Sequence, residues 1–211
     1  MNQAGFTPIV AQPRRWDVLS SFMQQQGYKT FVEVGCKEGR TTGHILKTVP
    51  DARVIAIDPW TADPVPSNGD STREDYKAWD FAKIEAEFWQ NVGEHKDRCT
   101  MVRETSEAAA AKIPETFNGH KARAAFDLVF IDALHDYESV KQDIALWWPH
   151  VRVGGMLTGH DFNHKWPGVE RAVADSFNLL NIGVASDSVW FIIKQREDQF
   201  RGTQNANSQA A

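Results

Sequence analysis

Apolar positions along the chain fall into two alternating periodicities. Short, nearly continuous apolar runs at residues 30–34, 53–57, 99–102 and 126–132 predict strands buried on both faces. Between them, apolar residues recur at helical spacing. A first helix is predicted over residues 16–26, carried by Trp16, Val18, Leu19, Phe22 and Met23 and closed by Gly27. Others are expected from a Thr41 or Thr42 cap through Leu46, over residues 76–92, from a Ser106 N-cap to Ile113, over 137–147 and over 168–177. A Gly154-Gly155 turn should precede a strand running from Met156 to His160-Asp161. Residues 182–185 and 189–194, joined by Ser186-Asp187-Ser188, read as a closing antiparallel pair. Strand and helix thus alternate in the order of a doubly wound α/β sheet, seven-stranded and mostly parallel. The predicted division is an N-terminal helical extension over 1–29, one α/β domain over 30–194 and a disordered tail over 195–211.

Polar residues at the strand ends give this frame its chemistry. Glu33, Asp58, Asp132 and the His160-Asp161 pair all fall where strands leave the carboxyl edge of the sheet, the edge at which open α/β sheets bind ligands. After the first strand comes Gly35-Cys36-Lys37-Glu38-Gly39. A dinucleotide fingerprint would need a glycine where Lys37 stands, so this loop is ill suited to a pyrophosphate. Asp58, ending the second strand, can accept both hydroxyl hydrogens of a ribose. Trp60 could lie against the nucleoside or in the core. The segment 61–73, rich in Pro, Ser, Asp and Gly, is a candidate lid, with Pro64-Val65-Pro66 as its cover.

A net charge of −5 and a pI near 5.8 leave no bulk basic field for nucleic acid or anionic membrane. Arg14-Arg15, Lys96–Arg98 and Lys121–Arg123 read as solvated surface. Cys36 and Cys99 have neither metal-pair spacing nor a disulfide framework, and no signal peptide or membrane span is apparent. A cytoplasmic protein is expected. The opening helix and the tryptophan-rich stretch 76–89 offer faces for a homodimer.

The run Phe130-Ile131-Asp132-Ala133-Leu134-His135-Asp136-Tyr137-Glu138-Ser139-Val140, then Trp148-Pro149, Gly154-Gly155 and Gly159-His160-Asp161-Phe162, joins Glu33-x-Gly35-x-x-x-Gly39 in a combined pattern. It resembles the class I S-adenosylmethionine-dependent methyltransferases of the family 24 type, over roughly residues 30–194, with further similarity to metal-dependent sugar and catechol O-methyltransferases. The resemblance implies a Rossmann-like fold and transfer of methyl from S-adenosylmethionine to a hydroxyl of a small-molecule acceptor such as a sugar, glycoside or polyphenol. It implies that Glu33 faces the cofactor's amino group and that Gly35, Cys36 and Gly39 shape the backbone around its methionine part. Glu104, Thr105 and Ser106 would surround the adenine. Asp132 would stand where the methyl meets the acceptor, forming with His160 and Asp161 a site for a divalent metal (Mg, Mn, Fe or Zn). The relatives usually carry Asp-Asp or Asp-Asn at the pair, so His160 suits Mn, Fe or Zn better than Mg, or marks loss of the metal. Without a metal, His135 is the natural general base. A cofactor-binding but inactive sensor or assembly subunit is the alternative of a different class. Amino methylation of nucleic acid would call for an acid-Pro-Pro-aromatic run after the fourth strand, where the chain has Asp132-Ala133-Leu134-His135.

Overall fold

Strands whose residues are buried on both sides need helices on both faces, and the computed structural model, which describes residues 12–61, 78–113, 125–196 and 199–201, has that arrangement. Its elements are α1 (Arg15–Gln26), β1 (Thr30–Val34), α2 (Arg40–Thr48), β2 (Arg53–Ile57), α3 (Phe81–Val92), β3 (Cys99–Val102), α4 (Ser106–Lys112), β4 (Phe126–Ile131), α5 (Tyr137–Trp147), β5 (Val151–Gly159), α6 (Pro167–Ser176), β6 (Gly183–Val184) and β7 (Trp190–Ile193). The seven strands lie in the order β3-β2-β1-β4-β5-β7-β6. β3 through β5 are mutually parallel, and β7 is antiparallel to both its neighbours. The order reverses between β1 and β4, so the crevice above those two strands is where a ligand should sit.

Alternate residues of each strand feed two cores. Phe31, Val54, Leu128 and Phe130 pack under α1, α2 and α3, where they meet Leu19, Met23, Ile45 and Phe88. Val32, Val34, Ile57, Val129 and Ile131 face α4, α5 and α6, meeting Ala109, Ile144, Trp147 and Val173. The opening helix therefore belongs to the body of the domain. Phe200, in the tail expected to be disordered, packs on Phe177 at 5.8 Å. The candidate lid beyond Thr61, Tyr76 and the basic cluster 121–123 lie outside the described residues.

Several local expectations need correction. Gly154 and Gly155 make no turn before β5; they lie within it, Gly154 at φ +80°, opposite a register shift between Phe126 and Leu128. At this irregularity Gly154 takes a left-handed φ, and a Cβ on Gly155 would lie 2.8 Å from Asp127 O, so both positions demand glycine. The N-cap of α4 is Thr105, whose hydroxyl accepts from Ala108 N at 3.3 Å, which frees Ser106 for another role. Nor is the 96–98 cluster simply solvated. Arg98 donates to the carbonyls of Leu46, Ala52 and Val49 at 2.6, 3.1 and 3.3 Å, tying the end of α2 to the start of β2. Lys194 is wholly buried, its ammonium donating to the carbonyls of Trp148 and Val151 after α5.

α3 reaches the ligand crevice because α2 lets it come close: a Cβ on Gly43 would stand 2.3 Å from the carbonyl oxygen of Asn91. Gly43→Ala should force the helices apart and lower stability by about 1–3 kcal/mol, measured by urea unfolding. A variant as stable as the parent would show that α2 and α3 are not held at this spacing.

Candidate functional site

The site begins where β1 ends. Gly35 has φ +87°, its N–H donates to Ile57 O at 2.9 Å, and a Cβ there would lie 2.4 Å from Asp132 O. Only glycine fits, so the ends of β1 and β4 meet directly. The rest of the loop is fastened to the end of β2. Asp58 accepts from the backbone N–H of Lys37 at 2.9 Å and of Trp60 at 2.8 Å, one on each carboxylate oxygen. Each oxygen keeps a lone pair for a further donor. Burial raises the Asp58 carboxyl, and the two N–H donors oppose that rise. Trp60, at φ +42°, donates from its indole to Lys37 O at 3.0 Å and packs edge-on against Phe88. It is thus a core residue whose ring also borders the crevice.

These contacts wall a cavity of about 370 Å3, within the roughly 300–1,000 Å3 of small-molecule sites. Gly35, Asp58, Trp60, Ser106 and Asp132 line it, with Glu104 and Thr105 beside Ser106. At its mouth the Lys37 ammonium lies 3.9 Å from the centre of the Trp79 ring. Glu104 is also ion-paired with Lys112.

Three expected cofactor residues sit beneath the wall instead of on it. Glu33 is 2% exposed and accepts from Thr42 Oγ at 2.5 Å; its carboxyl is pushed up to about 8, by burial first and by the nearby Asp132 charge. Cys36 is buried, which pushes its thiol well up. Gly39, left-handed before α2, would drive a Cβ to within 2.5 Å of Phe88.

A polar cluster gathers where β4 and β5 end. His135 Nε2 lies 2.8 Å from Asp161 Oδ2 and 4.0 Å from Asp132 Oδ1, while His160 Nδ1 lies 3.2 Å from Asp161 Oδ2 and 3.6 Å from Asp132 Oδ1. The grouping best suited to a cation is Asp132, His135 and Asp161, whose ligand atoms lie within 4.8 Å of one another. It contains His135, where sequence reasoning had set His160. His160 stands beside it, with Nε2 3.7 Å from Asp187. His135 is stacked on Trp166 with ring centres 4.3 Å apart.

Burial alone would depress the His160 imidazole, but the Asp161 contact and the Asp132 charge outweigh it and hold it above its usual value. Burial would raise Asp161, yet the two histidines keep it well below the ordinary carboxylate range. For Asp132 burial prevails and its carboxyl is raised, although Arg15 and both histidines pull the other way.

Arg15 corrects the reading of its basic pair as surface. Its Nε lies 3.1 Å from Asp132 Oδ2, and its backbone N–H donates to Asp187 Oδ2 at 2.8 Å. No local pattern marks it; the signal available was that three carboxylates in one buried centre require a cation. Asp187 was read only as a turn residue and Asp143 only as part of a helix. Asp161, Asp187 and Ser188 all have left-handed backbone, at φ 59°, 57° and 56°, strain of the kind found around functional centres.

Sheet order, glycine loop and acidic strand ends define a class I methyltransferase fold. A family model described as a methyltransferase domain matches residues 32–162, and the chain belongs to that family. No curated protein sequence matches it. Among solved structures it is similar to cofactor-bound Rv0187 from MTB, at 16% identity and TM-score 0.58 over 90% of this chain and 84% of that one. It is also similar to an O-methyltransferase from Bacillus cereus in complex with SAH, at 15% identity and TM-score 0.58 over 89% and 84%. A third likeness is to CalS11, a TDP-rhamnose 3'-O-methyltransferase of calicheamicin biosynthesis, at 18% identity and TM-score 0.52 over 85% and 80%. Among the described residues no helix is long and apolar enough to cross a membrane.

Glu33 yields a test of this electrostatic frame. Its folded-state pKa, about 8 against an ordinary 4.5, means that the folded protein binds the extra proton, so stability falls as pH rises through that window. Glu33→Gln removes the titration. Its stability relative to the parent should grow between pH 4.5 and 8 by up to about 1.4 kcal/mol per pH unit, read from urea unfolding across pH. Parallel pH profiles of the two proteins would contradict the buried acid.

Proposed function

We propose that the protein transfers a methyl group from S-adenosylmethionine to a hydroxyl of a small molecule, most closely a sugar, glycoside or polyphenol. The observation that carries this reading is the junction of two unlike environments at Asp132. That residue lines the nucleoside-sized cavity and also belongs to the polar cluster of His135, His160 and Asp161. Bound in the cavity, S-adenosylmethionine supplies a methyl group on a sulfonium, already activated for in-line displacement. The chain's part is alignment and removal of a proton. Asp58, with a lone pair left on each oxygen, takes the ribose hydroxyls, and the glycine loop admits the methionine part beside Asp132.

On the acceptor side His135 receives the hydroxyl proton, and Asp161, held ionised, stabilises the imidazolium that results. The His135–Trp166 stack offers a flat face to a ring-shaped acceptor. Arg15 balances the charge of Asp132.

The same residues suit a divalent ion. Two carboxylates and an imidazole make a mixed oxygen and nitrogen donor set, with the buried His135 Nε2 turned toward both carboxylates at 2.8 and 4.0 Å. Asp132, His135 and Asp161 would hold the ion, which would lower the pKa of the acceptor hydroxyl; the imidazole favours Mn, Fe or Zn over Mg.

His135→Ala should reduce methyl transfer by ~10²–10⁴-fold, measured with labelled S-adenosylmethionine and a panel of hydroxylated acceptors, while calorimetry shows S-adenosylhomocysteine binding unchanged. Full activity in that variant would remove His135 from the reaction. Binding of the nucleoside with no turnover on any acceptor, in the parent protein, would favour a non-catalytic binding module. Chelation followed by Mn2+ readdition separates the two modes of proton removal.

A further inference from the structure

One buried acid takes no part in that reaction. Asp143 on α5 is 6% exposed and borders the cavity together with Ser106. Its Oδ1 accepts the hydroxyl hydrogen of Ser106, and Trp147 donates from its indole to the same Ser106 oxygen at 2.9 Å. No lysine, arginine or histidine of the described residues is hydrogen-bonded or ion-paired to Asp143, and no hydrogen bond from them reaches its Oδ2.

We infer that Asp143 is a positioning residue that fixes Ser106 as an acceptor, so that the cavity selects a purine with an amino group at position 6 over one with a carbonyl. This inference rests on the reading of the cavity as a nucleoside site. The reasoning is a count of hydrogens. A serine hydroxyl has one hydrogen and two lone pairs, an ionised carboxylate only accepts, and an indole N–H only donates. With its hydrogen committed to Asp143 and one lone pair committed to Trp147, Ser106 has a single acceptor position left. An adenine amine brings N–H groups that match it, and a second N–H can be taken by Asp143 Oδ2. A 6-oxo purine brings an oxygen to the same place, leaving acceptor facing acceptor.

Other groups on this wall do not impose that choice. Gln142 carries an amide that can turn to donate or accept. Glu107 would add to the acceptor character without setting the orientation of Ser106. The carboxyl of Asp143 is pushed up to about 7 by desolvation, against which the Ser106 hydrogen bond works, so the count of hydrogens applies to the ionised form present above that pH.

The experiment compares S-adenosylhomocysteine with S-inosylhomocysteine, its 6-oxo counterpart, by calorimetry at pH 8, in the parent, in Asp143→Asn and in Ser106→Ala. The parent should bind the adenosyl ligand at least about tenfold more tightly. In Asp143→Asn the new amide can donate to Ser106, whose hydrogen is then released toward the ligand, and the preference should shrink to within about threefold or reverse. Ser106→Ala removes the reading oxygen and should narrow the preference chiefly by weakening the adenosyl ligand. A parent that binds both ligands equally, or a preference undiminished in Ser106→Ala or in a folded Asp143→Asn, overturns the inference and leaves the nucleoside site standing. If the parent binds neither ligand, the reading of the cavity fails and the inference fails with it.

Discussion

The contact between Gly35 and the backbone of Asp132 governs the rest of the site. There is no room for a methyl group between them, so the first and fourth strands end side by side and the loop after β1 turns over the gap. The register of β1 with β2 and β4 sets the heights of Glu33, Asp58 and Asp132 above the sheet. Parallel strands twist, and their ends diverge unless something draws them together. Here the left-handed glycine and its N–H bond to Ile57 hold three strand ends around one crevice. Asp58 and Trp60 then lock the loop from the far side, leaving the cavity with a backbone floor.

Charge is managed differently in the two halves of the crevice. Around the cavity lined by Asp58 and Ser106, buried acids are met by neutral donors: backbone N–H groups at Asp58, hydroxyls at Glu33 and Asp143. Neutral donors compensate desolvation only in part, and all three carboxyls are raised. In the reacting half, Asp132, Asp161 and Asp187 are met by two imidazoles and a guanidinium. That half holds ionised groups close together, the condition for moving a proton. His160 Nε2, buried there and 3.7 Å from Asp187, has no closer hydrogen-bond partner among the described residues, which leaves it capacity for an incoming polar ligand.

Much of this was legible in the sequence because it depends on local rules. Continuous apolar runs marked the strands, and Gly27 marked a helix end through its turn chemistry. Acids at strand ends marked the crevice because strand direction in a parallel sheet places them all on one edge. What escaped depends on contacts distant in the chain. Arg15 reaches Asp132 across 117 positions, and a basic dipeptide looks the same whether it meets solvent or a buried acid. Asp143 sits on a helix where its spacing is that of an ordinary polar residue, and only the fold brings Ser106 to it. The glycine pair of β5 was misjudged because turns and bulges make the same demand on φ. Glu33, on β1, and Cys36 and Gly39, in the loop after it, are buried beneath the wall that Gly35 and Asp58 line.

Arg15 and Asp187 lie on either side of the stretch shared with the methyltransferase family, which runs from 32 to 162. Two parts of the chain peripheral to the common scaffold thus clasp each other over its reacting end. A protein trimmed to the shared stretch would lose that clasp together with α1 and β7, whose Leu19, Met23, Trp190 and Ile192 are fully packed core residues.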